Sequence, residues 1–381
     1  MKIFMSKKTI GWVIGSIVVL GAGGYALARY NTDSMAHVIY QEVTHTESTA
    51  ASSSTAKEDS VKVVTDTNTN KKPAKATTGK TQSASLNDIQ KILSSKNYTG
   101  AYVISENGEI SQTDFTGKNA NQMNGKFYLA TDTENMLTAA AILHLVDQGK
   151  LKLSTPISKY FSSLSTSNKV TVQTLLDMTS GLSNDSIPSN QLTNVLNWNI
   201  DHAEAGSTGQ YNYQEINYVL LEGIVSQVTN QSYQDYITNT FLQPNGLNEV
   251  KFASQVDSSK MATPYNNGQP VSDPTLAKAM NSQMGQNQLV ASPWNLLKLT
   301  QVLVKEYGNN PNFISSQPTG RLIKSGDMYY VSGGIVGYRT SIAISKDGKK
   351  GVVLMSNDSN GKDNLTSLVK EAYGNRSQIY G

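Results

Sequence analysis

The sequence predicts an α/β (α+β) domain: one antiparallel sheet built from both ends of the folded region, flanked by helices, with an all-helical insert between them. Three observations lead there. Phe127 to Leu153 reads as a short strand end, a helix start and then one long apolar helix. Ala101 to Ser105, the Asn107-Gly108 pair and Ile110 to Phe115 read as strand, tight turn and strand. Far downstream, Met328 to Val331, Thr340 to Ile344 and Val352 to Ser356 read as further strands, with Asp347-Gly348 turning between the last two. Strands at both ends with helices between them imply a single sheet closed by the two termini.

Taken in order, the chain divides into 1–30, 31–83 and 84–381. Lys2, Lys7 and Lys8 precede an apolar run from Ile10 to Ala28, closed by Arg29. Such a run is long enough to cross a bilayer core of ~30 Å as a helix. The basic residues ahead of it place the amino end in the cytoplasm and the rest outside. Ala26-Leu27-Ala28 also has the form of a cleavage site, so an anchor and a cleaved signal both remain open, and either one exports the domain. Residues 31–83 are Ser, Thr, Asn, Lys and Ala with few large apolar side chains. They cannot bury enough surface to offset chain entropy, and a disordered spacer reaching ~40 Å is expected.

Charge and residue usage exclude several functions. Of 32 Lys and Arg, ten fall before residue 84, against six of the 29 acids, leaving 22 and 23 for the domain. The mild basicity therefore belongs to the tail, and no nucleic-acid partner is indicated. Without cysteine there is no disulfide, thiolate catalyst or lipoprotein anchor. Of four histidines, only His144 and His202 lie in the domain, and His144 on its apolar helix reads as a packed core residue. No cofactor and no metal centre is expected.

Within the domain, Ala139 to Val146 leave almost no polar helix face, so this helix should be buried. Gly149 ends it, and Lys150 and Lys152 suit its negative dipole end. Thr171 to Met178 and Tyr218 to Thr229 read as helices of the insert, the second stopping at Asn230, and a last helix spans about Asn364 to Ala372.

Several segments, in order, resemble the serine β-lactamase and penicillin-binding-protein superfamily, closest to its class C, D-alanyl carboxypeptidase and esterase branch. They are FYLATDTENMLTAAAI at the nucleophile helix, LKLSTPISKYF after it, VQTLLDMTSGL, YQEINYVLL, LVASPWNLL and GGIVGY. The likeness runs from about Tyr98 to Met355. It implies that a serine at the start of the buried helix attacks a carbonyl while a lysine three residues on takes its proton. It further implies a tyrosine relaying protons from a Y-x-N motif, and a Lys-Thr-Gly or His-x-Gly strand edge completing the oxyanion hole.

Carried over residue by residue, the chemistry is altered in all three motifs. Asp132 stands at the serine position and Asn135 at the lysine position. Tyr213 is kept, but Glu215 replaces the asparagine. Val331 replaces the lysine or histidine ahead of Gly333. Moving the register by one offers Thr131 as nucleophile opposite Glu134, and Thr133 is a further hydroxyl. A carboxylate near its usual pKa of about 4 is a poor base for an alcohol unless burial raises it.

Thr131-Asp132-Thr133-Glu134 has the form of a capping box, with Asp132 favourably placed in the first turn, a helix start contributing on the order of 1 kcal/mol. That reading is preferred to a redesigned active site, and Tyr213 is expected to pack beside the insert. Asp132 with Glu215 is the sharp residual pair, suited to a cation or ammonium group or to acid–base work. The resemblance thus implies a non-catalytic envelope protein that binds D-alanyl groups of peptidoglycan or teichoic acid. The competing expectations are a divergent esterase or carboxypeptidase using Thr131 or Thr133, and a purely structural or docking role.

Overall fold

The computed structural model describes residues 84–110, 114–116, 126–164, 169–185, 187, 194–359 and 365–371. The expected anchor and spacer lie outside them. Among the described residues, no helix is long and apolar enough to cross a membrane.

Helix α1 (Ala84–Ser95) leads into β1 (Gly100–Glu106), β2 (Glu109–Ile110) and β3 (Asp114–Thr116). The single return strand expected at 110–115 is therefore seen as two pieces, both paired with β1. After β4 (Tyr128–Leu129) and a 3₁₀ turn (Thr131–Glu134) comes the central helix α2 (Asn135–Asp147). The insert holds α3 (Val172–Leu176), α4 (Val195–Asp201), α5 (Ile216–Thr229) and α6 (Tyr233–Ile237). It is not all-helical: β5 (Leu182–Ser183) pairs with β6 (Glu204–Ala205), and β7 (Lys251–Phe252) and the hairpin β8 (Tyr265–Asn266) and β9 (Gln269–Pro270) follow. Helix α7 (Asp273–Ser282), β10 (Leu289–Ala291) and α8 (Pro293–Tyr307) lead back to the sheet. Its remaining strands are β11 (Ile323–Ser325), β12 (Met328–Ile335), β13 (Tyr338–Ser345) and β14 (Gly351–Ser356), and residues 365–371 form α9.

The main sheet runs β11-β12-β13-β14-β1-β2, and every pairing in it is antiparallel. Strand β1 pairs with β14 across the chain, Ala101 opposite Met355 and Ser105 opposite Gly351. Alternation along β1 divides the two faces. Tyr102 and Ile104 meet Ile89 and Leu93 of α1 and Leu365, Leu368 and Val369 of α9, while Ala101 and Val103 face the larger core. That core surrounds α2, in which every residue from Asn135 to Leu143 is buried. A helix apolar on all sides needs neighbours on all sides: α5 and α8 pack against it, and the inner face of the sheet belongs to the same core.

Two helix ends follow local chemistry. Asn230 adopts the left-handed conformation (φ +53°) that closes α5 where the sequence predicts a stop. Thr171 caps α3 with a reciprocal capping box to Thr174, leaving a helix shorter than expected.

Candidate functional site

The site forms where the turn before α2 is pressed between β12 and the 319–320 loop. A β-carbon added at Gly333 would lie 2.5 Å from the Asp132 amide nitrogen and 2.7 Å from Thr131 Oγ1. One added at Gly320 would lie 2.5 Å from Asn135 Nδ2. Two glycines therefore let backbone approach the turn from both sides. Thr131 takes φ +52° there. A β-branched residue in this region costs about 1–2 kcal/mol, a strain sustained by the surrounding packing.

This geometry overturns the expected capping box. Thr131 is itself inside the 3₁₀ turn, whose cap position is Ala130 with no side-chain cap bond. The Thr131 hydroxyl is buried with no partner. Glu134 instead turns inward, its Oε2 accepting the N–H groups of Gln288 and Leu289 at 2.7 Å each. The Thr133 hydroxyl donates to the Ala130 carbonyl. Neither threonine is hydrogen-bonded to a carboxylate, so neither is an activated nucleophile.

Asp132 is 8% exposed, and each of its partners is neutral. Asn287 Nδ2 donates to Oδ1 at 3.1 Å, and the Tyr213 hydroxyl and Gly334 N–H also donate to the carboxylate. The favourable dipole end does not prevail: burial pushes the carboxyl up to about 6, only partly offset by these three donors. The strand-edge N–H that would steady a developing oxyanion is thus already given to a side chain of the protein. At the lysine position, Asn135 is buried and donates from Nδ2 to the Thr319 carbonyl at 2.7 Å. An amide so engaged cannot take a proton from an alcohol. Val331 is buried in the core, leaving no cation on the strand ahead of Gly333.

Tyr213 is half-buried, its hydroxyl between Asp132 and Gln286 Oε1, the latter at 3.5 Å. Burial, then Asp132 and Glu215, raises its pKa well above the usual phenol value, so it remains a donor. It touches the cleft as well as the insert, more than the packing role expected of it. Glu215 remains exposed as a residue, yet protein crowds its carboxylate. The carboxyl is raised first by that desolvation and then by Asp132, with Gln283 opposing. Gln283 Nε2 donates to Glu215 Oε1, Gln286 Nε2 to the Glu215 carbonyl at 2.7 Å, and Asn287 also donates to Gln283. The structure brings Asp132, Tyr213 and Glu215 together, bordered by a row of amides. Their only sequence signal is the amide-rich run Gln283 to Gln288. Neither carboxylate lines the hollow of about 480 Å³ formed by Gln173, Asp177, Tyr211, Asn312 and Gln317, although its Tyr211 is raised by burial and then by Asp132.

His144 packs edge-on to Tyr236 and Phe241 with Nδ1 3.3 Å from the Tyr307 hydroxyl, but it is half-buried at the margin of the core and not inside it.

Residues 136–370 match the family model described as Beta-lactamase, a match beginning one residue after Asn135. PbpX of Bacillus subtilis (strain 168), assigned to the penicillin-binding proteins, is 26% identical over 305 residues, 71% of this chain and 74% of that protein. Among solved structures, FmtA from Staphylococcus aureus superposes with a TM-score of 0.66 at 18% identity, covering 78% of this chain and 90% of FmtA. The D-amino acid amidase from Ochrobactrum anthropi SV3, complexed with D-phenylalanine, gives 0.63 at 18% identity, over 77% of this chain and 100% of the amidase.

Proposed function

This chain belongs to the beta-lactamase family, and we propose that its cleft is a non-acylating receptor for ammonium-bearing D-alanyl groups of the cell wall, held outside the membrane by the amino-terminal segment. The observation that carries the reading is Asp132, a carboxylate at the family's serine position that accepts the Gly334 N–H. Its charge and that of Glu215 face one cleft, and the groups bonding them are amides, a phenol and a backbone N–H. A carbonyl oxygen entering there would meet a negative charge in place of an electrophilic hole. An ammonium group would meet two carboxylates.

A D-alanyl ester or amide with a free amine presents that group, and the amidase whose fold this chain shares was crystallised with a D-amino acid. The competing hydrolase reading gains from the raised carboxyls, which make better bases. It lacks an aligned hydroxyl, since Thr131 has no bonded base and Thr133 is bonded to Ala130.

Two measurements test the proposal. Incubation with a reactive β-lactam or a fluorophosphonate should leave the intact mass unchanged. Calorimetric titration should show D-alanine methyl ester binding, with loss of binding for the N-acetylated ester and for Asp132→Asn. A covalent adduct, steady ester turnover, or equal binding of the N-acetylated ester would refute it.

A further inference from the structure

Beneath the cleft lies a second pair of acids that the receptor reading does not use. Glu134 is 1% exposed and Glu222, on α5, is 5% exposed. Glu134 Oε1 and Glu222 Oε2 are both buried with no hydrogen-bond partner. Burial raises both carboxyls first; Glu134 then raises Glu222, and Asp132 raises Glu134. Such groups are costly to desolvate unless something neutralises them.

The atoms around them are oxygens. Thr138, one turn after Glu134, donates to the Gly285 carbonyl at 2.7 Å, and its hydroxyl lies 2.7 Å from that of Tyr233. Gly285 holds φ +74° against Glu222, where an added β-carbon would come 3.4 Å from Glu222 Oε2. Tyr233 in turn feels both carboxylates.

We propose that the space between Glu134 and Glu222 is a binding site for a hard divalent cation of the calcium class. Carboxylate, hydroxyl and carbonyl oxygens are the ligands calcium takes, and its coordination tolerates irregular geometry. Zinc favours imidazole and thiolate, which this cluster lacks. Magnesium usually keeps several waters, which an enclosed site disfavours. Among the described residues no three His, Cys, Asp or Glu side chains are grouped so that they could hold a metal ion, so these two carboxylates are the only charged ligands on offer. The remaining ligands are therefore neutral oxygens, drawn from Thr138, Tyr233 and Gly285. Glu134 also holds the N–H groups of Gln288 and Leu289, adjacent to Asn287, which bonds Asp132. A cation here fixes the segment that lines the cleft.

The test needs no organic ligand and so stands or falls apart from the D-alanyl reading. Full-length protein is prepared without chelator, its bound metal is measured by mass spectrometry, and Tm is recorded in chelator and in millimolar calcium. Expected are about one calcium per chain and a calcium-dependent rise in Tm of several degrees, both lost in Glu222→Gln and in Glu134→Gln. Absence of bound metal together with a calcium-insensitive Tm overturns the proposal, as does an equal calcium response in both variants. A Glu222→Gln protein that is more stable than wild type in chelator, with neither protein responding to calcium, overturns it in favour of a shared proton.

Discussion

Replacing Gly333 by alanine tests the packing that defines the cleft. The added β-carbon would sit 2.5 Å from the Asp132 amide nitrogen, 2.7 Å from Asp132 Cβ and 2.7 Å from Thr131 Oγ1. Ordinary contact begins near 3.4 Å, so close to 1 Å of separation must be created. Asp132 N and Cβ cannot swing aside like the end of a long side chain. The strand is equally fixed: Gly333 pairs with Thr340, whose hydroxyl donates to the Leu129 carbonyl at 3.0 Å. Overpacking at such a site costs about 3 kcal/mol. For a domain of this size that lowers Tm by roughly 5 °C. Gly326→Ala is the comparison, because a β-carbon there meets nothing and only its φ of +58° is strained. That strain costs about 1 kcal/mol. Urea unfolding of both variants measures the difference. If Gly333→Ala loses no more stability than Gly326→Ala, β12 does not press on the Thr131–Asp132 turn and the account of the cleft fails.

Two further outcomes follow from the site and its support. Asp132, with its carboxyl near 6, is largely protonated at pH 5 and ionised at pH 7. Binding of D-alanine methyl ester should therefore tighten roughly tenfold across that interval. Glu215, also raised, acts in the same direction, and a flat calorimetric profile would contradict both assignments. Arg321 is 1% exposed and holds Asp177 at 2.6 Å, as well as the Thr319 hydroxyl at 3.1 Å. Arg321→Met should cost about 3 kcal/mol in urea unfolding, the lower end for a broken buried pair because Asp177 can regain water. It should also weaken amine binding, since Thr319 carries the carbonyl that orients Asn135; wild-type affinity in that variant would disprove the link.

The parts of the fold that depend on local pattern were legible in the sequence. An unbroken apolar run gave α2, Asn230 gave the end of α5, and the paired turn signals gave β1 and the strands around Asp347-Gly348. The turn at the cleft was not legible. Thr131 to Glu134 spells a capping box as well as any such tetrad, but its conformation is decided by Gly320 and Gly333, far away in sequence. Family resemblance was needed to place Asp132 beside Glu215, because no local rule links positions so distant. Glu222 did leave a trace, a lone acid within the apolar run Ile216 to Val225. Periodicity weighs the run and passes over the exception.

The pairing of β1 with β14 has a consequence for how the molecule comes into being. Ser105 finds its partner at Gly351, far along the chain. A ribosome must therefore release the chain through Ser356 before the sheet can complete itself, and until then β1 offers an unsatisfied rim to any passing strand. Such distant closure makes for slow maturation, in which a nascent chain stalled before residue 351 is a hazard for aggregation and not a smaller version of the finished protein.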